Sequence, residues 1–426
     1  MRLTLLHTND IHGQVDGLAR IATLVERIRE ETPHRVIYVD AGDVEETTSR
    51  LSNLTKGVAM HRLLSAAGCE AAAVGNAVWI RYGHQVVADQ ARAAAYPLLL
   101  ANLAPVPGTQ PTTVIDGVGF VAVTDPFHSF LSTGIYGLEA SDEVEAVRRG
   151  ARALREQGAE LVVCLSHLGY ATDAETYWSV LDPELAERVQ GDVDVIVGAH
   201  THHLLPEGER VGTVTIAQAG SLAQYLGRID VVDGEISVSV IEVTDDIPPH
   251  PAVLQAAADA EAGLDASLDE VIADLAAPLD AQWITEMLRD RMGAEIAVGT
   301  SRVLIDGPLP AGPLRRRDLW ELCHSTANPA ITSLTGAQLA DMLARGNDPE
   351  FQQSTTQSLR GAPRGPLHAA GVGELDPART YRVAATDFEL EPYGGLAEAD
   401  WQLEIRYDFP TIIREAVEER LADDRC

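Results

Sequence analysis

The sequence predicts an α/β protein in two parts, a layered α/β domain followed by a second, smaller α/β unit. Three observations carry this. Short apolar runs recur through the first 245 residues and alternate with Ala/Leu/Arg stretches of helical spacing. Most of these runs end in Gly, Asn, Asp or His, the polar residues that such sheets collect at strand ends. A proline-rich break at Ile247–Pro251 then separates them from a further set of helix and strand patterns. With 46% hydrophobic and 23% charged residues the chain has apolar material for sizeable cores, which excludes a disordered or fibrous protein.

The runs RLTLLHT, RVIYVDAGD, AAAVGN, PLLLAN, ELVVCLSHLG and VDVIVGAHTHH read as buried strands because they are continuously apolar, the pattern of parallel strands covered on both faces. Leu18–Arg29, Met60–Ala67 and Val144–Gln157 read as the intervening helices. VTIAQAG and LGRIDVVDGEISVSVIEV close this domain as β structure, with Asp233–Gly234 as a hairpin turn. Ala252–Ala276 has helical spacing and reads as a linker helix. Beyond it come a helix at Ala281–Met292, a strand at Glu295–Val298, helices at Arg317–Cys323 and Gly336–Arg345, a strand at Thr380–Ala384 and a last helix at Ile412–Ala422. Asn347–Gly373, rich in Gln, Ser, Gly and Pro, reads as a loop. The expected organisation is a domain at 1–246, a linker helix at 247–278 and a second domain at 279–426.

Charge narrows the function. The balance of 32 basic and 64 acidic residues is −32, a surface that repels phosphate backbones and anionic lipid. Nucleic-acid polymers and membranes are therefore not expected partners, and an anionic substrate would need bound cations to be held. Four dispersed cysteines form no CxxC pair, which argues against a zinc knuckle or a disulfide framework. No run approaches the ~18 apolar residues of a membrane span. MRLTLLHTNDIHG lacks the apolar core of a secretory signal, so the sequence as written is expected to be cytoplasmic, and exported if it is a processed form. No GxGxxG, GxxxxGK[ST] or GxSxG motif occurs, and Arg315–Arg317 reads as a solvated helix start.

The chemistry lies at the strand ends: Asp10 and His12, Asp43 in DAGD, Asn76 in GN, His167 in SHLG, and His200 and His202 in GAHTHH. Carboxylate, imidazole and amide donors in this mixture suit Mn, Zn, Fe or Co better than Ca or Mg. Seven such residues suffice for two divalent metal ions, and a pair about 3.5–4 Å apart would hold a hydroxide for in-line attack on phosphorus. Asp40 is assigned to loop structure; His7, His34, His61 and His203 to structural or exposed positions.

HTNDIHG, DAGD, GN, SHLG, GAHTHH and QAGSLAQYLGRIDVV resemble the calcineurin-like metallophosphoesterases, specifically the two-domain bacterial 5′-nucleotidase group. PAGPLRRRDLWEL, LTGAQLADML and TYRVAATDF are similar to the C-terminal domain of that group, so the resemblance runs over nearly the whole chain. It implies a four-layer α/β/β/α metallophosphoesterase domain with a second α/β substrate-binding domain. It also implies that Asp10, His12, Asp43 and His202 hold one metal and Asp43, Asn76, His167 and His200 the other, with Asp43 as the bridge.

The departures are specific. The family usually reads GNHEFD at the third motif, where this chain has Gly75-Asn76-Ala77-Val78-Trp79-Ile80, so the catalytic His and its orienting Asp become Ala77 and Ile80. Arg81, His84 and His128 are the candidates to replace the lost proton donor. In the second domain Arg302 is the candidate phosphate contact, Phe388 one base-stacking aromatic, and Tyr393 a substitute in the stretch that usually reads GGDGY; no Phe stands at the other stacking position near His324 or Ser325. The expected function is hydrolysis of a small phosphoester, a nucleotide or relative, by a two-metal-activated hydroxide. The alternative is a catalytically inactive metal- and nucleotide-binding sensor.

Overall fold

The computed structural model describes residues 1–125, 136–171, 180–354, 363–390 and 395–423, without the side chains of residues 80, 81 and 399. It divides into two compact units, Met1–Gly263 and Leu264–Cys426.

In the first unit Arg2–Thr8 lies inside a seven-stranded sheet, ordered Glu235–Glu242, Tyr225–Val232, Arg2–Thr8, Arg35–Asp40, Ala71–Ala73, Leu98–Leu99, Thr109–Gln110. From Arg2–Thr8 outward the strands run parallel, while the terminal hairpin runs antiparallel beside it. Asp233 and Gly234 both take left-handed φ (53° and 94°), as a two-residue hairpin turn requires. A second sheet has the order Glu209–Val211, Val214–Ala217, Val195–Gly198, Leu161–His167, Val118–Thr124, Thr112–Ile115, with its four central strands parallel. The sheets pack face to face: Leu3, Leu5, Ile37 and Val39 of the first share a core with Phe120, Val163, Leu165 and Val197 of the second.

Helices cover the outer faces. Glu143–Glu156 sets Val144, Val147, Ala151 and Leu154 against Val121, Val162 and Ile196, and Val15–Glu31 covers the first sheet. The unit is thus layered α/β/β/α, as the resemblance implied. Parallel strands point their C-terminal ends the same way, so Asp10, Asp43, Asn76, His167 and His200 converge on one edge of the two sheets.

The linker-helix reading of 247–278 is corrected. Pro251–Ala262 is a helix starting on proline, packed on Val15–Glu31 and Val58–Ala66 through buried Val253 and Ala257. The chain before it is tied to the first helix, with His250 N donating to the Ala19 carbonyl and Arg20 Nη1 to the Asp245 carbonyl. After Gly263, Val271–Leu275 is a strand paired with Gly312–Arg315. Val271 and Ile272 are β-branched, and a partner more than forty residues away decides their state.

The second unit is built on a mixed sheet ordered Leu367–Ala370, Ile296–Thr300, Thr380–Thr386, Pro329–Thr335, Arg406–Tyr407. Ala281–Arg291 and Ile413–Asp423 share a core with Ala297 and Ala384 on one face. Leu339 and Met342 of Gly336–Gly346 pack with Val298, Leu334 and Val383 on the other. Asn347–Gly373, read as loop, includes a short helix, Pro349–Gln353, and the edge strand Leu367–Ala370. Among the described residues no helix is long and apolar enough to cross a membrane.

Behind the second sheet, fully buried Asp182 accepts from Ser166 Oγ at 2.5 Å through Oδ1, while its Oδ2 has no hydrogen-bond partner among the described residues. Burial pushes its pKa from the usual 3.8 up to about 7, against the Ser166 hydrogen bond and the His167 field. The folded state therefore keeps a proton that the unfolded state has released, and stability falls as pH rises from about 4 through 7. Asp182→Asn is expected to stabilise, by on the order of 2 kcal/mol more at pH 8.5 than at pH 5. Thermal melts at the two pH values test this, and a pH-independent effect would overturn it.

Candidate metal centre

The loops after the first two parallel strands are joined by backbone hydrogen bonds. Asp10 N donates to the Gly42 carbonyl (2.9 Å), His12 N to that of Asp43 (3.0 Å) and Gly13 N to that of Val44 (2.9 Å). Buried Asn9 ties in the later chain, donating to the Gly220 carbonyl (2.6 Å) and accepting from Ala219 N (3.0 Å). Asp40 braces the DAGD turn, accepting from Thr8 Oγ1 (2.7 Å) and Gly42 N (2.9 Å), with burial pushing its carboxyl up to about 7.

Five of the seven candidate ligands have left-handed backbones: Asp10 (φ 49°), His12 (48°), Asp43 (59°), His200 (72°) and His202 (58°). Outside glycine this conformation is uncommon, and Asp, Asn and His tolerate it best. Two glycines keep the site open. A Cβ on Gly42 would lie 2.8 Å from His167 Nδ1, and one on Gly75 would lie 2.0 Å from Asp43 Oδ1.

The donor atoms fall into two groups. In the first, His12 Nε2 and His202 Nε2 are 3.1 Å apart, and they lie 3.8 and 3.5 Å from Asp10 Oδ1. In the second, His167 Nε2 lies 2.9 Å from Asn76 Oδ1 and 3.3 Å from Asp43 Oδ2, and His200 Nδ1 lies 2.7 Å from Asn76 Oδ1. Asp10 Oδ1 is also 3.9 Å from His167 Nε2, so this carboxylate reaches both groups. Asp10, Asp43, Asn76 and His167 are buried, whereas the other three histidines are half-buried and face the open side.

These contacts fit cations. His167 Nδ1 lies 2.8 Å from the Ala41 carbonyl and donates to it, which leaves Nε2 as a lone pair facing two oxygen acceptors. Ligands ~2.0–2.2 Å from a first-row ion sit roughly 3–3.5 Å from one another, and the separations of 3.1–3.8 Å in the first group and 2.7–3.3 Å in the second bracket that spacing. Without a cation the cluster compensates with a proton: burial lowers the His167 pKa, but Asp43 and Asp10 raise it to about 10. Burial raises Asp10, and His202, His167 and His12 more than reverse this, leaving its pKa low.

Two residues beyond the sequence reading support these histidines. The Glu45 carbonyl faces His12 Nδ1 at 3.4 Å, and the Glu45 carboxylate meets buried His61, whose other nitrogen meets Tyr96 Oη at 2.8 Å. Buried Asp125 lies 3.7 Å from His200 Nε2, on the side away from Asn76. Asp125 ends the apolar strand VGFVAVT, so the strand-end pattern that picked out the ligands also contains it.

The altered third motif opens a short helix, Ala77–Arg81, and Ala77 N donates to Asp43 Oδ1 at 2.8 Å, leaving Oδ2 for the cluster. Of the candidate proton donors, His84 is half-buried beside Tyr136 (ring centroids 5.2 Å apart), and its buried Nδ1 makes no hydrogen bond among the described residues. His128, Tyr393 and the Arg81 side chain lie outside the described residues. In the second unit Arg302 Nε pairs with Asp306 (2.8 Å), which also binds His324, and Phe388 packs partly buried on the core.

Two face-to-face sheets with a mixed His, Asp and Asn cluster at their C-terminal edge define a metallophosphoesterase domain. Residues 3–204, most of the first unit, match the calcineurin-like phosphoesterase family. Over 402 residues the chain is 26% identical to the "Uncharacterized metallophosphoesterase YunD" of Bacillus subtilis (strain 168), covering 87% of this chain and 84% of the relative. It is 29% identical to a 5′-nucleotidase of Diplobatis ommata over 54% of this chain, and spans only 45% of that relative's length. Among solved structures, a 5′-nucleotidase precursor of Thermus thermophilus superposes with a TM-score of 0.62 at 21% identity, covering 99% of this chain and 96% of the other. The NAD nucleotidase of Haemophilus influenzae superposes with a TM-score of 0.65 at 13% identity, covering 100% and 96%. These two likenesses are of fold.

Proposed function

We propose that this protein is a metal-dependent hydrolase of small phosphoesters, with nucleotides as its substrate class. The observation that carries this is the confrontation of the His167 lone pair with the Asn76 and Asp43 oxygens, an arrangement that calls for a cation. Asp10, His12 and His202 would hold one ion and Asp43, Asn76, His167 and His200 the other, with Asp43 or Asp10 shared. The donor set suits Mn, Zn, Fe or Co. When bound, two such ions supply charge neutralisation at the phosphoryl oxygens and activation of water.

The chain's own residues do the positioning. The Ala41 and Glu45 carbonyls fix the Nδ1–H tautomers of His167 and His12, and Asp125 faces the outer nitrogen of His200. Ala77 N–H holds Asp43 by one oxygen. Ala77 itself has no proton to give, so the leaving group must be protonated by another donor, for which His84 offers a ring nitrogen without a hydrogen bond among the described residues. Arg302 and Phe388 are the proposed contacts for phosphate and base. The names of the nucleotidase relatives favour nucleotides over other esters.

The test is phosphate release from nucleotides, a plain phosphomonoester and a phosphodiester, with Mn²⁺ supplied and with a chelator. Turnover that the chelator abolishes, and that is fastest on a nucleotide, is the expected result. Metal binding without turnover of any ester would overturn the hydrolase in favour of an inactive sensor.

A further inference from the structure

One turn of helix, Ser301–Leu304, follows the strand Ile296–Thr300 and carries Arg302 into a side-chain cluster that the metal centre does not use. Arg302 Nε lies 2.8 Å from Asp306 Oδ1, and the other oxygen of that carboxylate, Oδ2, is bound to His324 Nδ1. One carboxylate thus holds two side chains from separate segments, and the two nitrogens it holds lie less than about 8 Å apart. Asp306 is mostly covered, with 16% of its side chain exposed, whereas Arg302 and His324 are exposed by 44% and 58%.

The backbone is fixed on both sides of this carboxylate. Asp306 N donates to the Leu322 carbonyl (2.8 Å), Cys323 Sγ to that of Leu304 (3.3 Å) and Arg302 N to that of Arg364 (2.9 Å). Buried Arg414 donates through Nη1 to the Cys323 carbonyl at 2.8 Å. Leu304, Ile305 and Cys323 are buried in one core. Among the described residues no further carboxylate pairs with Arg302 or His324. An ionised carboxylate only accepts, so His324 donates from Nδ1, and in the neutral ring Nε2 is then an acceptor. That nitrogen makes no hydrogen bond among the described residues. Arg302, engaged through Nε, keeps its Nη1–Nη2 edge as a fork that matches two phosphoryl oxygens. Donors for an anion and an acceptor for a hydroxyl are thereby set side by side.

We propose that Arg302, Asp306 and His324 act as one unit that selects hydroxylated phosphoesters: Arg302 binds the phosphoryl oxygens, His324 Nε2 accepts from a hydroxyl a few carbons away, and Asp306 positions both. This deepens the proposed function and rests on its reading of Arg302 as the phosphate contact. A group placed to accept from a ligand hydroxyl discriminates against the analogue that lacks it, because the acceptor is then left unpaired. The favoured class is therefore the phosphate ester of a polyol or sugar, nucleotides included, over alkyl phosphates. Asp306 does not repel such an anion as a bare carboxylate would, since each of its oxygens is already engaged.

Isothermal titration of the full-length, chelator-treated protein with 3,4-dihydroxybutylphosphonate and with butylphosphonate tests this, because phosphoester hydrolysis does not cleave a C–P bond and the two ligands differ only in their hydroxyls. The expected result is that the diol binds about fivefold tighter. His324→Phe is expected to bring the two ligands within about twofold of each other while butylphosphonate binds as it does to the parent. Asp306→Ala is expected to remove the preference and weaken butylphosphonate as well, and Arg302→Ala to weaken both ligands by about tenfold. A circular dichroism melt checks that the variants stay folded. Equal binding of the two ligands by the parent, or a preference that survives in His324→Phe, would overturn this proposal alone. Absence of binding, or unchanged binding by Arg302→Ala, would overturn it together with the reading of Arg302 as the phosphate contact. Metal-dependent phosphate release by the parent is a separate measurement and tells the failure of the hydrolase apart from either.

Discussion

Asp43→Asn is expected to lower Mn²⁺-dependent phosphate release by about 10³-fold, the equivalent of some 4 kcal/mol of lost charge stabilisation. The substitution keeps size and shape, so an oxygen can still accept from Ala77 N–H, while the other position loses its negative charge at 3.3 Å from His167 Nε2. The loss therefore falls on cation affinity. Isothermal titration with Mn²⁺ should show fewer than two ions bound, and a second ion, if bound at all, weakened by 10-fold or more. Full activity with two ions still bound would remove Asp43 from the proposed ligand set.

Gly75→Ala is expected to be nearly as damaging without replacing any proposed ligand. The added Cβ would lie 2.0 Å from Asp43 Oδ1 and 2.6 Å from Asp43 N, and the second atom belongs to a backbone locked to the His12 loop. Neither neighbour can yield cheaply, so the carboxylate must move. A displacement of about 1 Å in a reacting constellation costs about 10²-fold in rate, and overpacking a tight interior costs about 1–3 kcal/mol in stability. Phosphate release and a thermal melt of the same preparation measure the two effects. A variant that melts and turns over like the parent would mean that the second and third loops are not held as described.

The gathering of the strand-end Asp, Asn and His residues is legible because each follows a continuous apolar run, and a parallel sheet has to gather those ends at one edge. Helix positions are equally legible where apolar spacing is strong: the spacing predicts Ala281–Met292 and Ala281–Arg291 is found. What local pattern cannot carry is pairing at a distance. Val271–Leu275 reads as helical because its strand partner lies far along the chain, and Pro251–Ala262 reads as a free spacer because its helical neighbours precede it by some two hundred residues. Asp125 is readable in principle, since it too ends an apolar strand, but its relation to His200 depends on the pairing of two separate strands with Leu161–His167. The left-handed backbone of the ligands does not show in apolar spacing either, although HTNDIHG, DAGD and GAHTHH place Asp, Asn, His and Gly where that conformation is needed.

That backbone bears on where such a protein is free to change over generations. At Asp10, His12, Asp43, His200 and His202 a Val, Ile or Thr would strain the chain as well as remove a donor, so few single-residue replacements leave a folded intermediate. Ala77 has the ordinary right-handed backbone of a helix, so a larger residue there meets the packing around a buried side chain but no backbone strain. Mutational drift thus meets backbone strain at five of the proposed cation ligands and only side-chain packing at position 77. On the proposed function, a lineage could change its proton donor there while keeping the residues that would hold ions.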